Sequence, residues 1–480
     1  MKKAKYFLSA CLFPAIVSCT VNEIITPEFL YDNEATKSDV RINPDFNEFK
    51  VDINAAKRYS ELRYPGKSYS LDVYTVKSDT TLYVFNYEGG GWLVVPGDRR
   101  VDPSVAESPK GKVDLEDDHA YVSYLKSVGS SIYSVRDSQD VLDADAVKLW
   151  GSITPVKAID HGQRLLTKAS YPKWVVRSYV ITQYSSTQVE VPHLIKTKWG
   201  QGDPWNDKLP VDLNDNCHPR RRCETGCVSV AVSQMLYYLH YHIGYPKKLY
   251  HDINCSVTVG TSPFTSVGFS RSNLVTNSSR WDSMYSENNL SGSTSYVGDL
   301  MLDVGNRYGM IYRCKYAGGS EAYMSNVSAL SNYGITCSSR NYYTSTIVDN
   351  LRNELPVIIT ATGETTNSHT PLSHAWIIDG LFVDTRDFDM MRVCEYTYDW
   401  TYDDEMYDSF EEVQQRYGFS DPYEEQYYRG EPAHVYSFLM NWGEDGIGDD
   451  AYYSVSSPWL WDGNNRFNDN KRIYYDFRRQ

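Results

Sequence analysis

The sequence has no surplus of positive charge, no internal repeat, and only a short apolar run at its N-terminus. Its 480 residues hold 47 Lys and Arg against 62 Asp and Glu, a formal charge of −15. Nucleic-acid binding needs a basic face that displaces phosphate counterions, so no nucleic-acid partner is expected. The lack of a repeat excludes a stacked-repeat architecture. The apolar run Phe7 to Val17 is broken by Pro14. It is about half the roughly 20 residues that a membrane-spanning helix requires. What the chain does have is 41% hydrophobic residues and 41 tyrosines, enough to build a core and to exclude a wholly disordered chain. The length allows roughly two or three domains.

Lys2, Lys3 and Lys5 precede the short apolar run, as in a cleaved secretory signal. Ile16-Val17-Ser18-Cys19 resembles a lipobox, in which cleavage leaves Cys19 as the lipidated first residue. The expected layout is a signal over 1–18 and a polar tether over 19–39. The mature protein is then exported and held at the cell envelope by its acyl chains, on the periplasmic or cell-surface face, or is released. Of nine cysteines, seven remain after the loss of Cys11 and the lipidation of Cys19: Cys217, Cys223, Cys227, Cys255, Cys314, Cys337 and Cys394. An odd number in an exported protein leaves at least one thiol free.

Residues 40–170 read as a small α+β domain without catalytic groups. An amphipathic helix covers Val51 to Leu62, strands cover Leu71 to Val76 and Thr81 to Tyr87, and a second helix covers about Asp117 to Val128. Gly89-Gly90-Gly91 followed by Trp92-Leu93-Val94-Val95 predicts a hairpin. Residues 166–195 read as a polar connector. The segment 384–431 holds 15 Asp and Glu against 4 Lys and Arg, with eight Tyr. It reads as a solvated excursion between core strands; cation binding or the docking of a basic partner are the other readings.

Past Pro192, residues able to do chemistry gather. Val228, Ala231, Val232, Met235, Leu236 and Leu239 follow the i, i+3, i+4, i+7 spacing of a helix with one buried face. Cys227 falls in its first turn, where unpaired N–H groups and the helix dipole favour a thiolate. Position alone leaves two readings open: a nucleophile, or a structural cysteine paired with Cys217 or Cys223. His374 opens the strand-like run Ser373-His374-Ala375-Trp376-Ile377-Ile378, while His369 lies in a loop and His434 precedes another strand. Asn441 ends the strand Tyr436 to Trp442, placed to accept from an imidazole N–H that Trp442 would shield. Cys217-His-Pro-Arg-Arg-Arg-Cys223 reads as a disulfide clip, a processing site or free thiols. A zinc site on Cys217, His218, Cys223 and Cys227 would consume the nucleophile.

Four motifs, in the order Gln, Cys, His, Asn, resemble the streptopain family of papain-like cysteine proteases. They are Lys198-Trp199-Gly200-Gln201 with Pro204-Trp205-Asn206, then Gly226-Cys227-Val228, His374-Ala375 with Ile378-Asp379-Gly380, and Asn441-Trp442-Gly443. Tyr83 to Asn86 and Gly91 to Arg100 are similar to that family's propeptide. The resemblance implies an α+β papain-like domain over 171–480, its helical part carrying Cys227 and its antiparallel sheet carrying His374 and Asn441. It also implies protein or peptide substrates, a propeptide over 40–170 acting as intramolecular inhibitor until it is cut within about 165–190, and no cofactor or metal. Cys227 becomes the nucleophile, His374 the base, Asn441 its orienter, Trp442 the shield and Gln201 the oxyanion-hole donor. Leu372-Ser373 and Glu444-Asp445 depart from the family pattern, which has Gly-Gly before the His and an aromatic after the Asn-Trp-Gly. A non-catalytic surface interaction protein, or a Cys-His amidase or transpeptidase, is the alternative.

Overall fold

Asp52 starts the first helix, α1 (Ile53–Arg63), by accepting at 2.8 Å from the N–H groups of Asn54 and Ala55, which would otherwise lack partners. The computed structural model describes residues 49–136, 146, 149–150, 153, 172–212, 222–246, 251–259, 265–274, 278–315, 319–365, 368–398, 405–455 and 471–480. The signal, Cys19, the tether, Cys217, His218 and residues 154–171 lie outside the described residues.

After α1 come β1 (Tyr69–Val76), β2 (Asp79–Tyr87), β3 (Trp92–Pro96), β4 (Ala106–Ser108) and α2 (Ala120–Arg136). β2 is buried on both faces, and its alternation explains why. Tyr83, Phe85 and Tyr87 pack against α1 with Leu93 and Val95. Leu82 and Val84 point the other way, toward Val122, Leu125 and Val128 of α2. The predicted hairpin is β2 against β3, with Phe85 opposite Leu93.

The rest of the chain runs β5 (Lys173–Val191), α3 (Cys227–His242), β6 (His251–Val259), β7 (Thr265–Leu274), α4 (Ser278–Asp282), α5 (Thr294–Arg307) and β8 (Ile311–Tyr312). Then follow β9 (Ile335–Asn341), α6 (Thr344–Arg352), β10 (Val357–Thr365), β11 (Ser368–Thr397), β12 (Glu405–Tyr407), α7 (Phe410–Tyr417), β13 (Glu425–Arg429), β14 (Ala433–Asn441), β15 (Tyr452–Ser454) and β16 (Arg472–Arg479). One sheet crosses the whole molecule in the order β1-β2-β3-β4-β15-β14-β11-β10-β16-β9. The N-terminal strands join it through β4, where Ala106 and Glu107 oppose Tyr453 and Tyr452. α3 buries Val228, Ala231, Val232, Met235, Leu236 and Leu239, the predicted stripe, against α5 and against Ala375 and Ile377 of β11. Each of these Val, Leu and Met side chains contributes roughly 1.5–3 kcal/mol. The fold is the expected α+β one, with the cysteine on the helical side and the histidine on the antiparallel sheet.

One expectation is corrected: the connector is a strand, β5, which pairs with β11 along Leu381–Thr397. The acidic segment, most of whose described residues are exposed or half-buried, is folded, with β13 on the other edge of β11 and β12 on β5. α7 closes one face of this ribbon over a small core of Val176, Cys394, Val413 and Phe419. Arg392 is held between the rings of Tyr417 and Tyr428, 4.4 and 4.3 Å from their centres. Among the described residues no helix is long and apolar enough to cross a membrane.

Candidate active site

Cys227 is the first residue of α3 and is half-buried. Gly226, at φ 82°, takes a backbone conformation that other residues reach only with strain. A Cβ there would lie 2.6 Å from the methyl of Met310, a flexible end that can give way, so it is the conformation that requires glycine. Burial pushes the Cys227 thiol up. The hydrogen bond and charge of His374, with the N–H groups of Ala375 and Val228, outweigh burial and hold it below its ordinary value. For His374 burial acts downward, but the hydrogen bond to Cys227 and its charge, then Glu444 and the Trp442 carbonyl, raise it to about 9. Both shifts favour thiolate beside imidazolium.

His374 stands in β11 opposite Ala361 of β10. Its Nε2 lies 3.0 Å from the carbonyl oxygen of Trp442. The acceptor that orients the imidazole is therefore this main-chain carbonyl rather than the Asn441 carboxamide. Asn441 is turned elsewhere: its Nδ2 donates to the Thr197 carbonyl, and its Oδ1 accepts from Gln234 Nε2, both at 2.8 Å. Oδ1 also accepts from the Gly443 N–H at 3.2 Å. Asn441 thus holds the peptide whose carbonyl holds His374. Trp442 is 1% exposed, and its ring lies 6.3 Å from the imidazole and 5.0 Å from Trp376, nearly parallel to both.

Gln201 is brought close through its main chain, whose carbonyl accepts at 2.9 Å from Thr225, two residues before Cys227. Asp379, in the motif after His374, is buried and accepts from His193 Nδ1 at 2.9 Å and the Ile195 N–H at 3.0 Å. The two acids that depart from the family pattern, Glu444 and Asp445, have partners here. Asp445 accepts from the Trp205 indole, and Glu444 accepts at 2.9 Å from the Ala120 N–H at the start of α2. Cys223 is a free, buried thiol pushed to about 12 by burial, so the Cys217–Cys223 clip does not form. Cys314 is disulfide-bonded, and Cys337 and Cys394 are free. Among the described residues no His, Cys, Asp and Glu cluster could hold a metal. His434 lies apart, bonded to Thr385.

Sequence reasoning missed Gln234. It sits seven residues beyond Cys227, hence on the same helix face, and is 1% exposed. Its Oε1 accepts from Thr197 Oγ1 at 2.8 Å and from the Trp199 N–H at 3.3 Å. One side chain therefore ties α3, the end of β14 and the segment leading to Gln201. The signal was a polar residue in phase with an otherwise apolar stripe.

A cysteine at a helix start, paired with a histidine on an antiparallel sheet, defines a cysteine-type endopeptidase of papain-like fold. The model of the Peptidase C10 family matches residues 199–453, more than half of the chain and all four motifs, apart from Lys198. The chain belongs to the Peptidase C10 family, the streptopain family. Among solved structures it is similar to a fragment of Prevotella intermedia prointerpain A, at 20% identity and TM-score 0.47, over 85% of this chain and 98% of that one. It is also similar to the active wild-type interpain A cysteine protease of Prevotella intermedia, at 22% identity and TM-score 0.36, over 59% of this chain and 93% of that one. No curated protein matches the sequence.

Proposed function

We propose that the protein cleaves internal peptide bonds by attack of the Cys227 thiolate on the scissile carbonyl, giving an acyl-enzyme that water then resolves. His374 gives its proton to the leaving amine and takes one from the incoming water. The observation that carries this reading is the placement of Cys227, first residue of α3, beside His374 of β11, whose Nε2 is held by the Trp442 carbonyl; the opposed directions of their shifts agree with it. Gln201 and the Cys227 N–H are the proposed oxyanion donors, each worth about 2.7–4 kcal/mol of transition-state stabilisation.

The chain is, on this reading, a zymogen. The N-terminal region rests on the same turn that orients the histidine: the Tyr124 ring of α2 lies 5.5 Å from that of Trp442, and Ala120 donates to Glu444. A cut beyond Lys173 would sever a strand paired along its length with β11. The processing site therefore falls before it, toward residue 165. The reading also keeps a lipid anchor at Cys19, with signal 1–18 and tether 19–39, and export to the cell envelope. Labelling cells with a fatty-acid analogue, beside a Cys19→Ala version, tests the anchor; equal labelling of both removes it.

The chemistry is tested by incubating the protein without its signal, then measuring intact mass and casein cleavage, beside Cys227→Ala. Wild type is expected to shorten to a product beginning near residues 165–173 and to digest casein, and the variant to do neither. Casein digestion by the variant at the wild-type rate overturns the mechanism.

A further inference from the structure

Asp449, eight residues past Asn441, is 2% exposed and sits against the Trp442 turn. Its Oδ1 accepts from the Trp442 N–H at 2.9 Å, while its Oδ2 is buried without a partner. A carboxyl buried with one idle oxygen is costly to a fold. The hydrogen bond its side chain makes is to the residue whose carbonyl receives His374 Nε2 at 3.0 Å. Two side chains thus pin the main chain around that carbonyl: Asn441 from the Gly443 side and Asp449 from the Trp442 side.

We propose that Asp449 is a positioning residue for His374, acting through the Trp442 main chain. This rests on the Cys227–His374 mechanism above. The groups facing Asp449 are Asp379, His193, Lys198 and Tyr453, besides the Trp442 N–H. Burial raises its carboxyl to about 8, with Asp379 adding and the Trp442 N–H, His193 and Lys198 opposing. At neutral pH it is therefore mainly protonated, and serves as a neutral acceptor. Glu444 remains the carboxylate whose charge bears on His374. Asparagine keeps the same oxygen without the charge, so it should substitute well.

The test uses protein trimmed with added trypsin, as wild type, Asp449→Ala and Asp449→Asn. Turnover of a fluorogenic peptide is read, along with the pH dependence of iodoacetamide labelling at Cys227, followed by peptide mass. Loss of positioning at the reacting centre costs about 100-fold, so Asp449→Ala should lose about that much kcat with little change in KM. Its labelling curve should move up toward that of an ordinary thiol, while Asp449→Asn keeps both the rate and the curve of wild type. A folded Asp449→Ala with wild-type kcat and curve overturns the proposal, and so does an Asp449→Asn that fails as Ala does. If Asp449→Ala does not fold, the Asn variant decides alone. A wild type that labels like an ordinary thiol instead removes the Cys227–His374 mechanism.

Discussion

The N-terminal region and the acidic ribbon both join the central sheet, but in opposite ways. The N-terminal strands meet it edge to edge, through the three-residue β4 against β15, and add side-chain contacts from α2. The ribbon continues the strands that carry the site: β11 runs on from His374 to Thr397, flanked by β5 and β13. A short edge, with the helix packed beside it, can part and leave the site strands paired with one another, although the two regions share a core. An attachment by continuation cannot. The difference separates a part able to leave from a part bound to stay, and it agrees with the zymogen reading of the first.

The largest expected effect breaks the chemistry and leaves both attachments alone. Cys227→Ala should lower casein cleavage by about 10⁴-fold or more and accumulate as the full-length chain, with its melting temperature near that of wild type. Next comes the edge attachment. Arg63 and Glu107 form a bidentate pair beside β15, their side chains 24% and 8% exposed. Removing one partner of a buried pair costs about 3–5 kcal/mol, and the exposure of Arg63 brings this nearer to about 2–3. Both residues belong to the N-terminal region, so Glu107→Ala should loosen that region and its β4 edge at lower urea, with the ribbon's hydrogen exchange unchanged; equal loosening of both regions would erase the distinction.

Acidity acts on the site that the two regions share. The thiolate–imidazolium pair forms as pH rises through the lowered value of Cys227, and is lost as His374 gives up its proton at about 9. Peptide turnover should thus fall about tenfold per unit well above pH 9, measured on processed enzyme. The smallest effect belongs to the ribbon. Ser409 caps α7 by accepting from the Glu412 N–H at 3.3 Å, so Ser409→Ala should cost about 1 kcal/mol. Faster amide exchange at Glu412, with casein cleavage retained, is the expected readout.

The sequence made some of this legible and hid the rest for physical reasons. The α3 stripe, the Gly226-Cys227 entry and the β2–β3 hairpin rest on periodicity and turn chemistry, which are local. The ribbon was hidden because its acids and tyrosines read as solvated. Its strands exist through long-range pairing with β5, residues 173–191, itself read as a connector. The motif put Asn441 at the end of a strand, as β14 has it, but could not show which way its carboxamide faces. That direction is set by Gln234 and Thr197, distant in sequence. Glu444 and Asp445 looked like departures at the cleft; their partners, Ala120 and Trp205, explain them only in three dimensions.

The short pairing of β4 with β15 also bears on how the protein behaves in bulk. Once residues before the cut depart, the main chain of Tyr452 and Tyr453 loses its neighbour, and the aromatic surface under Tyr124, Trp442 with Tyr453, meets water. A bare strand edge beside exposed aromatics is a template for self-association. Its length of three residues and the neighbouring Asp450 restrain that tendency. Maturation therefore trades colloidal stability for activity, and the processed form should be the first to precipitate as concentration rises.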